Sequence, residues 1–132
     1  MRLGTCGWIE LMEKYKQKLG KKGEDRAEEY LRSKGFTILA KHYHYGHKEI
    51  DLVGKDGNTI VFVEVKTGKS RKFGTPEEWV SSKKQKNLIQ AALYFIQNEK
   101  IEGCDFRFDV LAISYPQGKE EINHIRNAFM VT

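Results

Sequence analysis

The sequence predicts a single α/β domain, with helices packed on the faces of a mixed sheet in the order α-β-β-β-α-β-β. Three observations lead there. Five runs of strand length are separated by turn residues, and two longer segments repeat their apolar residues with the helical period. The run IVFVEVKTG, residues 60–68, begins almost wholly apolar, as a central strand covered on both sides would. At 132 residues and 39% hydrophobic content, the chain can bury one modest core.

Residues 13–33 predict a first helix or two, because Tyr15, Leu19, Gly23, Ala27, Tyr30 and Leu31 fall in one stripe. Gly20 and Gly23 either interrupt it or let it approach a neighbour closely, and Gly35 marks its C-terminal end. FTILAKHY (36–43) is the first strand. KEIDLVG (48–54) and TIVFVEVKTG (59–68) follow, joined through KDGN, whose Asp56-Gly57 suits a tight hairpin turn. KSRKFGTPEE (69–78) is a basic loop. A helix then runs from Ser81 to Asn98, with Ser81 or Ser82 as N-cap and Leu88, Ala91, Ala92 and Phe95 as its apolar stripe. FRFDVLAIS (106–114) is the fourth strand, Pro116 and Gly118 make a turn, and EINHIRNAF (121–129) is the last strand. The domain is expected over residues 20–132, with residues 1–19 an N-terminal extension and the start of the first helix.

No apolar run approaches the length of a membrane span, and Gly4, Gly7 and Glu10 interrupt the N-terminal apolar residues that a signal peptide would keep unbroken. Cys6 and Cys104 stand far apart in no metal-ligand spacing, so free thiols in a cytoplasmic protein are expected, with no membrane partner. The net charge is +5, and its position matters more than its size. Residues 65–90 hold seven Lys or Arg against two acids, which by itself equals that excess. A second basic run, KYKQKLGKK, spans 14–22. Such runs are either solvated faces or a surface that follows a phosphate backbone. On the second reading Lys69, Arg71, Lys72, Lys83 and Lys84 are the nucleic-acid-binding residues.

Strand alternation puts Ile60, Phe62, Glu64 and Lys66 on one face and Val61, Val63 and Val65 on the other. A charge buried there costs several kcal/mol unless it is paired or binds a metal. On the preceding strand Glu49, Asp51 and Val53 share a face opposite Ile50 and Leu52. Counting back from Leu88 by three and four reaches Gln85 and Lys84, so the second helix's apolar stripe turns polar in its first turn. Glu24 lies three residues before Ala27 on a face that otherwise points inward. Glu24, Asp51, Glu64, Lys66 and Lys84 or Gln85 can therefore meet. Two carboxylates and a lysine suit Mg²⁺, with Mn²⁺ as the alternative: Asp51, Glu64 and the carbonyl of Val65 are the expected ligands. Lys66 would orient or deprotonate the attacking water and offset charge on a phosphorane. The plainer reading is a buried Glu64–Lys66 ion pair that fixes strand register, but such a pair needs neither an inward Asp51 nor a polar helix turn.

These residues resemble the PD-(D/E)XK nuclease superfamily, with Asp51 as the D and EVK (64–66) as the ExK. More narrowly, the chain is similar to the YraN-type family of predicted bacterial endonucleases, distant relatives of archaeal Holliday junction resolvases. GEDRAEEYLRSKGF (23–36), EIDLV (49–53), VFVEVKTG (61–68), FG (73–74), KKQ (83–85) with AALYF (91–95), FRFDV (106–110) and NAF (127–129) carry the resemblance. It implies a restriction-endonuclease-like three-layer fold, a central mixed sheet flanked by helices. It also implies catalytic roles for Glu24, Asp51, Glu64 and Lys66, assisted by Lys84 or Gln85. The implied activity is Mg²⁺-dependent phosphodiester hydrolysis in DNA, with branched or junction DNA as the substrate class. The alternative is a catalytically inactive nucleic-acid-binding module with the same fold. Where that family tends to carry Asn and Arg before the E-I-D strand, this chain has His42 and His44.

A homodimer is expected as well, because a four-way junction has two symmetric strands to cut; Ile122 and Phe129 would either supply an apolar contact or finish the core. TGKS (67–70) ends like a P-loop, but Val63 stands where the first glycine is required, so no nucleotide cofactor is expected. His42, His44 and His47 lack a cysteine partner and a common direction for zinc; an exposed loop is the simpler reading. Trp79 and Tyr94 could stack on bases, though core packing explains them as well or better. Asp109 is expected to be a buried partner of Arg107 or a lysine, and Glu49 is open, on the Asp51 face but at a strand's start.

Overall fold

The computed structural model describes residues 23–68 and 80–130 and contains the expected order of elements. Helix α1 is described over residues 23–33. It is followed by β1 (Thr37–Tyr45), β2 (Lys48–Asp56), β3 (Thr59–Gly68), α2 (Ser82–Asn98), β4 (Asp105–Ser114), a 3₁₀ turn (Pro116–Gly118) and β5 (Glu121–Phe129). The extension at residues 1–19, the basic loop with Lys69, Arg71 and Lys72, and Trp79 lie outside the described residues.

The strands form one sheet in the order β1-β2-β3-β4-β5. β1, β2 and β3 are an antiparallel meander, β4 joins β3 in parallel after the α2 crossover, and β5 returns antiparallel. A parallel neighbour requires such a crossover, and α2 supplies it. The β2–β3 turn is shifted by one residue from Asp56-Gly57: Asp56 pairs with Thr59, leaving Gly57 and Asn58 as the loop. Gly57 takes φ 59°, and glycine at this first loop position is what a type II′ hairpin needs.

Two apolar clusters lie on opposite faces of the sheet. Ala27 and Leu31 of α1 pack with Leu52, Val61, Val63, Leu111 and Ile113 on one face. Leu88, Ala91, Ala92 and Phe95 of α2 pack with Ile50, Val53, Phe62, Phe108 and Val110 on the other. The layers are therefore helix, sheet, helix. Truncating a core aromatic such as Phe62 to Ala would cost about 3–5 kcal/mol. Ser81 caps α2 by accepting from the Lys84 N–H at 3.2 Å. Gly23 sets how close α1 comes to β3: a Cβ there would stand 2.5 Å from Thr67 Cγ2.

One expectation about faces fails. Ile50 and Val53 share the α2 cluster while Leu52 belongs to the α1 cluster, so the alternation of β2 breaks between Ile50 and Leu52. The β2–β3 ladder ends there too, its last pair being Leu52 with Val63. Ile122 and Phe129 pack against the two core clusters and so finish the core. Among the described residues, no helix is long and apolar enough to cross a membrane, and Cys104 is a free thiol.

Candidate active site

Just past Leu52 and Val63, the next residues on the two strands are Asp51 and Glu64. Asp51 takes over where the ladder stops: its Oδ2 accepts the Val65 N–H at 2.8 Å. This bond holds the Asp51 carboxylate against the backbone beside Glu64. Alternation after Phe62 sends Glu64 to the α2 face, and the first turn of α2 meets it there. Lys84 Nζ is 3.8 Å and Lys66 Nζ 4.0 Å from Glu64 Oε1. The other oxygen, Oε2, is buried with no hydrogen-bond partner, on a side chain only 7% exposed.

Glu24 reaches the same end of the sheet from the start of α1. Its Oε2 is likewise buried without a hydrogen bond, though it lies against His42 Nε2. His42 Nδ1 donates to Glu49 Oε1 at 2.9 Å. It sits at φ 49° within β1, a conformation rare for a non-glycine residue, so the surrounding structure holds its ring between two carboxylates. One ligand atom each from Glu24, His42 and Glu49 lies within 4.8 Å of the others.

The electrostatics follow from this crowding. Burial, then the Asp51 charge, raises Glu64 to about 7, against the opposing pull of Lys84 and Lys66. Burial and Asp51 also raise Glu24 to about 7. Asp51 is raised as well, chiefly by burial, although the Val65 N–H works the other way. His42 is raised, first by its hydrogen bond to Glu49. Four acids thus crowd one end of the sheet, with Lys66 and Lys84 beside Glu64 and His42 beside Glu24 and Glu49.

Of the residues expected at the site, the structure gathers Glu24, Asp51, Glu64, Lys66 and Lys84. Gln85 is turned elsewhere: its Nε2 donates to the Val80 carbonyl at 2.9 Å, bracing the start of α2. Lys83 is exposed in the same turn. His42 and Glu49 are additions. Alternation had placed Glu49 on the Asp51 face, but nothing local in the sequence announces the left-handed turn that brings His42 in.

A profile of Uncharacterised protein family UPF0102 matches residues 23–113, from α1 into β4. The chain belongs to UPF0102. It is 45% identical over 117 residues to a UPF0102 protein of Caldicellulosiruptor saccharolyticus, covering 86% of this chain and 98% of that one. A UPF0102 protein of Syntrophomonas wolfei is 44% identical over 113 residues, with the same coverage of 86% and 98%. One from Thermodesulfovibrio yellowstonii is 48% identical over 111 residues, covering 84% of this chain and 95% of its own. UPF0102 membership brings no activity with it, so the chemistry must be argued from the side chains. The acids supply hard oxygen atoms, one of them, Glu64 Oε2, without any partner, and this donor set fits Mg²⁺ or Mn²⁺ better than a softer ion.

Proposed function

We propose that this UPF0102 protein is a Mg²⁺-dependent endonuclease that hydrolyses phosphodiester bonds in DNA, with branched, Holliday-junction-like DNA as its substrate class. One observation supports this most: part-buried Asp51 and buried Glu64 lie side by side where β2 and β3 part, and Glu64 keeps an unpartnered oxygen. A structural ion pair would satisfy its acids, whereas this pair is left needing a cation.

Asp51 and Glu64 would hold the ion, with the Val65 carbonyl as third protein ligand. An ion held there would supply Lewis acidity at the phosphoryl oxygen and make its bound water a stronger acid than bulk water. Lys66, over a third exposed at the rim, orients the attacking water and offsets charge on the phosphorane. Lys84 faces the same carboxylate from α2, and Gln85 acts at one remove by bracing the turn that carries Lys84. Glu24 stands near Asp51, whose charge helps to raise it. The basic residues Lys69, Arg71, Lys72 and Lys83 would follow the phosphate backbone, and a two-fold dimer would present two such sites to a junction.

The test is nicking of supercoiled plasmid and cleavage of a four-way junction in Mg²⁺, Mn²⁺ or EDTA. The protein should cleave only with metal. Asp51→Asn and Glu64→Gln should each lose at least about a hundredfold in rate while still binding DNA in EDTA. Wild-type cleavage by either variant would remove these residues from the mechanism. DNA binding with no cleavage in either metal would favour the non-catalytic module.

A further inference from the structure

The β1–β2 hairpin and α2 carry an aromatic pair that the core does not use. Tyr43 packs against the α2-side core and meets Phe95 edge-on at 5.0 Å. Tyr45 and Tyr94 stand outside that cluster, each 40% exposed, and stack on one another with centroids 4.4 Å apart and planes 24° from parallel. Lys48 Nζ lies 5.5 Å from the Tyr45 ring centre and also contacts Gln90 of α2. Tyr94 also tilts against Tyr43 with centroids 6.4 Å apart, yet its ring stays outside the core cluster and partly exposed.

The pair is also aligned with the candidate site. Lys83, Asn87, Gln90 and Tyr94 follow the spacing i, i+4, i+7 and i+11, one face of α2 beginning in the turn that brings Lys84 to Glu64. That stripe contains no acid and is about 16 Å long, or about five steps of a stacked nucleic-acid strand at ~3.4 Å each. Along β2, Lys48 is about 10 Å from Asp51.

Resting on the nuclease reading, we propose that Tyr45 and Tyr94 form a stacking platform for an unpaired base of the DNA substrate, with Lys48 and Lys83 contacting its backbone. The size of the patch favours a base over a protein. Two tyrosines 40% exposed leave roughly 160 Å² of surface, against the ~800 Å² per partner of a stable protein interface. Flat aromatic faces beside cations and free of acids are what single-stranded segments bind. A platform set several nucleotides from the cutting centre makes the site select DNA whose strands have separated, as they do at a fork or junction.

The test is fluorescence anisotropy in EDTA, where cleavage plays no part, comparing a short duplex with the same duplex bearing a single-stranded tail. Tyr45→Ala/Tyr94→Ala should lose about tenfold in affinity for the tailed DNA and less than about twofold for the duplex. Tyr45→Phe/Tyr94→Phe, which keeps both rings, should bind both as the wild type does. In the unmutated protein, 5-bromouracil in the tail should crosslink to Tyr45 or Tyr94; this readout stands if the alanine variant does not fold. Unchanged tail binding, an equal loss on both DNAs, or crosslinks only to other residues would overturn the proposal. So would a patch whose loss abolishes self-association and leaves tail binding intact, which would assign it to a second copy. Wild-type protein that binds neither DNA would contradict the nuclease reading itself.

Discussion

Glu64 and Asp109 are buried carboxylates one register step apart on β3 and β4, since Glu64 pairs with Val110 and Val63 with Asp109. They face opposite sides of the sheet and live in opposite conditions. Asp109 fills a bulge in β5, where Asn127 takes φ 53° and donates its N–H to Oδ1 at 3.0 Å. Arg107 Nε donates to the same oxygen at 3.0 Å, and His124 Nε2 meets Oδ2 at 2.7 Å. Arg107 continues to Asp56 and lies over the Phe36 ring. Burial alone would raise Asp109, but the His124, Arg107 and Asn127 bonds outweigh it and hold the carboxyl below its ordinary value. Glu64 has two lysines at 3.8–4.0 Å, one orphaned oxygen and a proton affinity raised to about 7. The lesson is that burial of charge does not itself mark function. Whether the charge is satisfied within the fold does.

The comparison breaks most visibly at Asp109. Asp109→Asn should destabilise the protein by about 1–3 kcal/mol, because the buried bonds to His124, Asn127 and Arg107 lose their charged acceptor while Arg107 keeps Asp56. Cleavage per folded molecule should stay near wild type. Denaturant unfolding paired with an active-fraction assay checks both halves. A stable but inactive Asp109→Asn would move the functional centre to the wrong face of the sheet.

A smaller effect sharpens the other side. If the cations around Glu64 serve a phosphate backbone, Lys83→Ala should weaken DNA binding alike across sequences. It should also reduce the slope of log K against log salt by about one unit. An unchanged slope would make Lys83 a solubilising charge.

Much of this was legible because it is local. The strand period of residues 60–66 placed Glu64 and Lys66 on one face, and the helix period of Leu88, Ala91, Ala92 and Phe95 carried that face to Lys84. Ser81 and the hairpin at Gly57 are short-range signals of the same kind. What sequence reading missed depends on long-range geometry. The break at Asp51 exists because its carboxylate replaces a ladder bond to Val65, fourteen residues on. His42 and Glu49 meet through a backbone conformation that residue type disfavours. Arg107 was readable as a same-face neighbour of Asp109, but His124 and Asn127 arrive through a β5 bulge. Tyr45 and Tyr94 stack only because α2 crosses the β1–β2 hairpin.

The most direct measurement is the unfolding free energy of metal-free wild type and Glu64→Gln at pH 8 and pH 5. In the fold Glu64 titrates at about 7 instead of 4.5, so it disfavours the folded state when ionised. Its penalty is absent well below pH 4.5, grows from there to about pH 7, and is complete above that. Glu64→Gln should therefore be more stable than wild type at pH 8, by about 2 kcal/mol, with the difference falling below about 1 kcal/mol at pH 5. A Glu64→Gln protein less stable than wild type at pH 8 would mean that Glu64, like Asp109, is satisfied within the fold, and would contradict the account.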